Sequence, residues 1–371
     1  MNYIMEYPKS AFLYISVLFF CLIFSFIGLR KDNKEKKLNV WIVLIITILS
    51  VIAGIRGETV GIDVAHYITS HIEPIRNGFF SQVDQPIGFK LLVWFVYRFT
   101  NKTFVVFTVF AFITNGLIIL RLWDFRNKGS FSLMLFFYYC YYYLITYNVF
   151  RQFISIAIVF YFTRYLEQKK YILYIIIVAL ACTIHSTAIL GFILLPLDIL
   201  FSEEGKKQRM MKKIFLILSP IIIIIAAFLV YKYFDYDHYL DLYKVYNIGG
   251  LGFMTPSKII VAISIFIIFK NEIKQKRIQL LKSFQLSNIF VIYILGLLLS
   301  LLVYFSNLAD RFAWYFLMFE PIFMSFIIKK MDYRLLMRGI YIIFAIYTLF
   351  NALNNSGQGI MPYITFWGYK L

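Results

Sequence analysis

Apolar residues in this chain come in about a dozen blocks of roughly 15 to 20, each closed off by charged residues, and this spacing sets the architecture. A helix of that length rises about as far as the hydrocarbon core of a bilayer is thick. Inside hydrocarbon every backbone N–H and C=O must find its partner within the protein, which leaves helices or a closed barrel. The short alternating strands of a barrel are not visible. The expectation is therefore an all-α fold, a polytopic transmembrane helical bundle built as a single integral membrane domain over residues 1–371. Composition excludes a water-soluble globule, because 61% of the residues are hydrophobic and only 15% charged, against roughly half and a quarter in soluble domains.

A net charge of +18 raises the question of nucleic acid, but a binder of that kind gathers its cations on a wet face with polar residues between them. Here the cations separate apolar blocks, so no nucleic acid partner is expected. Cys21, Cys140 and Cys182 lie inside such blocks and offer neither a disulfide framework nor a zinc site. The first block, Ala11 to Leu29, is followed by cations and has no small-residue cleavage site, so it reads as a retained span.

Six connecting segments hold most of the Lys and Arg: residues 30–37, 121–128, 164–170, 206–213, 270–282 and 329–338. Short cytoplasmic loops carry this excess, which turns the six inward and sends both termini to the extracytoplasmic side. The spans that satisfy the pattern are residues 10–29, 39–55, 103–120, 130–147, 150–166, 171–184, 186–201, 214–231, 258–270, 285–304, 313–328 and 339–353. That is about 12 crossings within a range of roughly 10 to 14, because the short pairs around Asn148 and His185 could form re-entrant hairpins. Two long extracytoplasmic loops remain, at about residues 56–102 and 232–257, the first with an amphipathic stretch, Gly88 to Phe99, suited to the interface. The second is rich in Tyr and Asp and has Gly249, Gly250 and Gly252; these residue types can stack on sugars, although Tyr is also the ordinary residue of a membrane interface.

An ionisable group at membrane depth costs a few kcal/mol, so it is kept where it is paired, hydrated or used. Four clusters meet this description, and the charge pattern sends all of them to the outer side. They are Arg56, Glu58, Gly61, Asp63, His66 and Tyr67; Asn148, Arg151 and Gln152; His185, Ser186 and Thr187; and Asp310, Arg311 and Tyr315. Arg151 and Arg311 present planar forks that match phosphate, and at headgroup depth they suit a lipid-linked diphosphate. Such guanidiniums also stabilise the charge that grows on a departing diphosphate. No ATP is available on the outer face, so a polymer-forming reaction there needs a donor activated beforehand, such as a polyprenyl diphosphate sugar. His185 has the pKa class for acid/base work, with Asp63 and Glu58 as rivals.

Each residue also has a plainer reading. Arg56 could anchor an interface, Asp310 and Arg311 could pair with each other, and His185 could plug a helix break. Glu320, inside the block 313–328, reads as a buried ion-pair partner for an arginine. The histidines show no metal-ligand spacing, and there is no P-loop or dinucleotide-binding glycine pattern, so neither a metal nor a cofactor is expected.

The run Tyr147-Asn148-Val149-Phe150-Arg151-Gln152, an apolar span, the basic turn EQKKY and then His185-Ser186-Thr187-Ala188 together resemble the central signature of the EpsG family. Upstream, Arg56, Gly61, Asp63 and Tyr67 resemble that family's arginine, glycine, aspartate and tyrosine pattern, and Asp310-Arg311 with Tyr315 resembles its last outer arginine. The resemblance runs from Arg56 to about Tyr315. It implies a relative of the Wzy polymerases of bacterial capsule, exopolysaccharide and O-antigen synthesis, a glycosyltransferase in the cytoplasmic membrane that is inverting and metal-independent. Its substrate would be a polyprenyl-diphosphate-linked oligosaccharide, surrounded by membrane lipid, with a chain-length regulator and a flippase as the partners to look for. By that resemblance Arg151 and Arg311 are diphosphate ligands and His185 and Asp63 acid/base or acceptor-orienting groups. Arg56, Glu58, Tyr67, Asn148, Gln152, Asp310 and Tyr315 contact substrate or support those that do. The alternatives are another lipid-linked-sugar glycosyltransferase, a glycan ligase or, lowest in rank, a flippase without chemistry; a flippase predicts charges reaching the midplane from both sides.

Overall fold

The computed structural model describes residues 2–30, 39–201, 284–301, 308–330, 334–356 and 358–371. The expected spans 214–231 and 258–270, the loop 232–257 and the basic segments 206–213 and 270–282 lie outside them. Among the described residues the regular structure is helical, with no β-strand and two isolated bridge pairs near the C-terminus. The chain divides into two compact units, Met1–Gly191 with Met318–Leu371, and Phe192–Leu317.

The first unit opens with α1 (Pro8–Arg30) and α2 (Val40–Gly54). Proline suits the first turn of α1, where its missing N–H costs nothing. Asn39 joins the two helices. Its Oδ1 accepts from the Trp41 amide at 3.1 Å to cap α2, and its Nδ2 donates to the Gly28 carbonyl at 2.8 Å, one of the acceptors left over at the end of α1. There follow α3 (Ile87–Tyr97), α4 (Thr103–Asp124), α5 (Phe131–Tyr138), α6 (Phe150–Phe162) and α7 (Tyr171–Cys182). Helix α4 sits at the centre, packed on α2 at one side and α6 at the other.

Two of the described helices, Pro8–Arg30 and Thr103–Asp124, are long and apolar enough to cross a membrane. Shorter apolar helices include Val40–Gly54, Tyr171–Cys182 and Ser186–Ile199. Two buried polar side chains show how the unit accommodates them, since burial in apolar surroundings favours paired polar groups. Asn115 of α4 is fully buried, accepts from Tyr138 Oη at 2.8 Å and donates to the Ala111 carbonyl at 2.9 Å. Arg121, 2% exposed, reaches Glu167 at 2.5 Å and Thr163 at 3.1 Å.

The segment expected as an outer loop over 56–102 is folded. Val64–Tyr67, a wide π turn Ile68–Ile72 and Glu73–Arg76 run on from one another before α3. Val64, Ile68, Ile72 and Ile75, spaced by four, four and three, share one face and are buried with Phe89, Val93 and Val96 of α3. This face packs on Val106, Phe107 and Phe110 of α4 and on Phe150 and Ile154 of α6. The amphipathic stretch of the sequence is thus α3.

Among the described residues four expected spans are not continuous α-helix. The block 150–166 is interrupted at Thr163, between Phe150–Phe162 and Arg164–Glu167. Block 130–147 is α5, a π turn Tyr139–Tyr143 and a 3₁₀ turn Ile145–Tyr147, and block 186–201 begins as a 3₁₀ stretch, Ser186–Ile193. In block 313–328 the helix Leu308–Leu317 stops and another, Glu320–Lys330, starts after Met318 and Phe319. Pro321 explains the restart, since its ring fits a first turn and clashes within a helix. Glu320 therefore opens a helix instead of sitting within one, and its carboxylate accepts from Tyr142 Oη at 2.5 Å. The second unit contains Leu194–Phe201, which packs on Phe284–Leu301, which in turn packs on Leu308–Leu317.

The crossing of α2 and α4 turns on Gly54. A Cβ there would lie 2.5 Å from the Thr108 Cα and 2.7 Å from its Cβ. Gly54→Ala should lower thermal stability by about 1 to 3 kcal/mol in detergent melts. Adding Thr108→Ala should fail to restore it, because the clash includes backbone; recovery would show that the helices cross with room to spare.

Candidate functional site

Arg56 follows the end of α2 and is 3% exposed. Its Nη1 donates to the Ala53 carbonyl and its Nη2 to the Tyr147 carbonyl at 2.8 Å. The guanidinium lies over the rings of Phe107 (4.7 Å) and Tyr147 (5.1 Å), close enough for cation–π attraction. Burial draws its pKa down to about 10, so it stays charged at neutral pH. Arg56 thereby ties the end of α2 to the residue before Asn148.

The chain next turns through Gly57–Asp63, held by the C-terminal segment. Gly57 N–H donates to the Ile364 carbonyl at 2.7 Å, Gly61 N–H to Gly359 at 2.8 Å and Ile62 N–H to Gln358 at 3.3 Å, while Phe366 N–H returns to Ile55 at 2.7 Å. Gly61 has φ of 111°, open to glycine and poorly tolerated by other residues. Asn148, between the 3₁₀ turn Ile145–Tyr147 and α6, closes the junction. Its Oδ1 accepts from the Asp63 amide at 2.8 Å and its Nδ2 donates to Gln358 Oε1 at 3.2 Å. The Asp63 carboxylate is left half-exposed at the head of Val64–Tyr67.

One turn further on stands an aromatic and cationic cluster. The Arg151 guanidinium lies 5.6 Å from the ring centres of both Tyr67 and Phe89. Tyr67 packs edge-on against Phe150 (5.0 Å) and His71 (5.2 Å), and His71 against His66 (5.5 Å). His71 Nε2 is 3.1 Å from Gln85 Nε2. From the next position of α6, Gln152 Nε2 donates to Thr187 Oγ1 at 3.3 Å. Thr187 in turn contacts His185, its amide donating to Nδ1 at 3.3 Å and its hydroxyl 2.6 Å from the same atom. An amide can only donate, so Nδ1 accepts and the proton of the neutral ring sits on Nε2.

The structure therefore brings together Arg56, Asp63, Tyr67, Asn148, Arg151, Gln152 and His185, all within the first unit. Glu58 is exposed on the turn. Asp310 (half-buried), Arg311 (exposed) and Tyr315 (buried) lie on Leu308–Leu317 of the second unit. Among the described residues no group of three His, Cys, Asp or Glu comes together as a metal site. Sequence reading missed Gln358, whose side chain meets Asn148 at a separation of 210 residues, and the packing of Phe89 on Arg151 and of His71 on Tyr67. Gly357 and Gly359 beside Gln358 were the one visible signal, as glycines mark close backbone approach.

Burial pushes the His71 imidazole below its ordinary value, and the positive charges of Arg151 and then His66 push the same way. The folded value lies beneath the unfolded value of about 6.5, so the stabilisation is complete above about pH 6.5 and fades as pH falls through the lower folded value. Melts of the wild type should weaken on that acid side, and those of His71→Gln should do so less. Identical pH profiles would clear His71 of this role.

Residues 39–365 match the EpsG family. No curated protein and no solved structure gives a match.

Proposed function

Because this chain belongs to the EpsG family, a family of Wzy-like membrane polymerases acting on lipid-linked oligosaccharides, we propose that it joins polyprenyl-diphosphate-linked repeat units into a surface polysaccharide. The reaction takes place on the outer face of a bacterial cytoplasmic membrane, in a bundle of about twelve crossings with both termini outside. The whole chain acts as one membrane domain.

The observation that supports this reading is the joining of three motif segments far apart in sequence. Asn148 bonds the loop of Asp63, Arg151 covers Tyr67, and Gln152 reaches Thr187 beside His185. A hydroxyl at the non-reducing end of the incoming unit attacks the anomeric carbon of the growing chain, inverting it. The bond from that carbon to the diphosphate oxygen breaks, and polyprenyl diphosphate leaves. Arg151 receives the charge on the diphosphate as a fork of donors, and Arg311 is a further candidate on its sequence motif alone. The tautomer of His185 suits a donor to a phosphate or sugar oxygen, so the acceptor's proton passes to Asp63. Tyr67, Asn148 and Gln152 orient these groups. Arg56 holds the carbonyls that shape the loop, Glu58 lines its open side, and Asp310 and Tyr315 support Arg311.

Arg151→Ala, Arg311→Ala and His185→Ala should each cut polymer formation in the host on the order of 100-fold, with membrane protein levels unchanged. A single repeat unit on lipid should accumulate, whereas a ligase defect would leave long chains on lipid. Polymer of normal length from any of these variants removes that residue from the mechanism, and normal polymer from a gene deletion removes the polymerase reading.

A further inference from the structure

Between α3 and α7 of the first unit runs an open groove of about 460 Å³. Its walls are Leu91, Leu92, Trp94 and Phe95 of α3, with Leu180 and Ile184 opposite. Leu91 is 49% exposed, Phe95 58% and Leu180 59%, an apolar surface that water covers poorly. The groove has a built end. Gly88 N–H donates to the Thr183 carbonyl at 2.7 Å, and a Cβ on Gly88 would sit 2.8 Å from that oxygen, so the seam closes because the residue is glycine.

Just past this seam stand the groups of the site. Phe89, next to Gly88, carries the Arg151 guanidinium at 5.6 Å from its ring. His185 follows Thr183 and Ile184 in the chain. A cation beside the residue next to Gly88, with hydrocarbon along the rest of the groove, complements an amphiphile that has an anionic head and one long apolar tail. We propose that this groove holds the isoprenoid tail of the lipid diphosphate, with the diphosphate at the Gly88–Thr183 end. The proposal rests on the polymerase reading above and adds to it the path of the carrier. It also gives both faces of α3 a role: Phe89, Val93 and Val96 anchor it in the core beside Phe107 and Phe110 of α4, and Leu91 and Phe95 line the groove.

The test uses the full-length protein in liposomes of phosphatidylglycerol and phosphatidylethanolamine, with a polyprenyl diphosphate carrying a diazirine in its tail as the probe. After photolysis, label should map to residues 88–95 and 180–184. Unlabelled long-chain polyprenyl diphosphate should compete with it, and an excess of phosphatidylglycerol should not. Leu91→Trp with Leu180→Trp fills the groove from two exposed positions and should leave folding intact. In the wild type a long polyprenyl diphosphate should outcompete geranyl diphosphate by an order of magnitude or more, and in the filled variant the two should become equal. Label elsewhere, equal competition by phosphatidylglycerol, or an unchanged long-chain preference in the filled variant would each overturn the proposal. The outcome separates from that of the polymerase reading. Loss of polymer in Arg151→Ala without competed label in the groove removes the groove alone, and competed label with normal polymer in a gene deletion removes polymerisation while the groove stands as a carrier site.

Discussion

A buried guanidinium bound to backbone carbonyls organises the first unit. Arg56 sits where α2 ends, and a helix end leaves carbonyls without intrahelical partners and a partial negative charge. One of its donors goes to Ala53 of its own helix and another to Tyr147, which closes the 3₁₀ turn ahead of α6. The faces of Phe107 and Tyr147 supply further negative potential. Removing the guanidinium would strand these carbonyls in an apolar setting, a cost of about 1.5 to 3 kcal/mol for each charge-assisted bond. The loop carrying Asp63 begins at the next residue, so its starting direction is set here. The C-terminal segment then fixes its course by backbone bonds at Gly57, Gly61 and Ile62.

Arg56 and Arg151 look alike in sequence, each a cation at the margin of an apolar block, and the folded chain gives them opposite surroundings. Arg56 is enclosed, with donors committed to carbonyls. Arg151 is half-buried between the rings of Tyr67 and Phe89, a setting that orients the fork while leaving it charged. The difference comes from what precedes each residue. A helix terminus supplies carbonyls to Arg56, whereas Arg151 lies in the first turn of α6, where free N–H groups and the positive helix end favour an anion close by. The diphosphate release proposed above would gain from a cation and a helix N-terminus held on the same side of the leaving group.

Sequence patterns made much of this legible and left some of it out of reach. Helices α1, α2 and α4 follow their apolar blocks to within a few residues, since period and length in hydrocarbon admit little else. α3 was readable from its one-sided pattern. The contact of Asn148 and Gln152 with segments before and after them was foreseen only as a convergence on one side. The strap formed by residues 358–371 was invisible, because its bonds are mostly between backbone atoms and any sequence can make those. The restart at Glu320 had a local sign in Pro321, outweighed in the reading by an unbroken run of apolar residues. The expected outer loop 232–257 lies outside the described residues.

The wide turns near the site follow the same economy. One, Ile68–Ile72, presents Tyr67 and His71 to Arg151 while Ile68 and Ile72 stay in the core; the other, Tyr139–Tyr143, leads α5 toward Tyr147 and Asn148. A π turn gives up regular i to i−4 bonding, so it persists where side-chain placement compensates for the loss. Here Tyr143 Oη donates to the Leu49 carbonyl at 2.8 Å and Tyr139 Oη to Tyr14 at 2.7 Å, hydroxyls serving carbonyls of α2 and α1. The same hydrogen bonds hold the approach to Asn148 rigid from behind. If the proposed polymerisation takes place at this loop, its fixing by Arg56, the C-terminal strap and these tyrosines lowers the entropy lost on ordering it around a charged, bulky substrate, and catalysis by positioned donors depends on that rigidity.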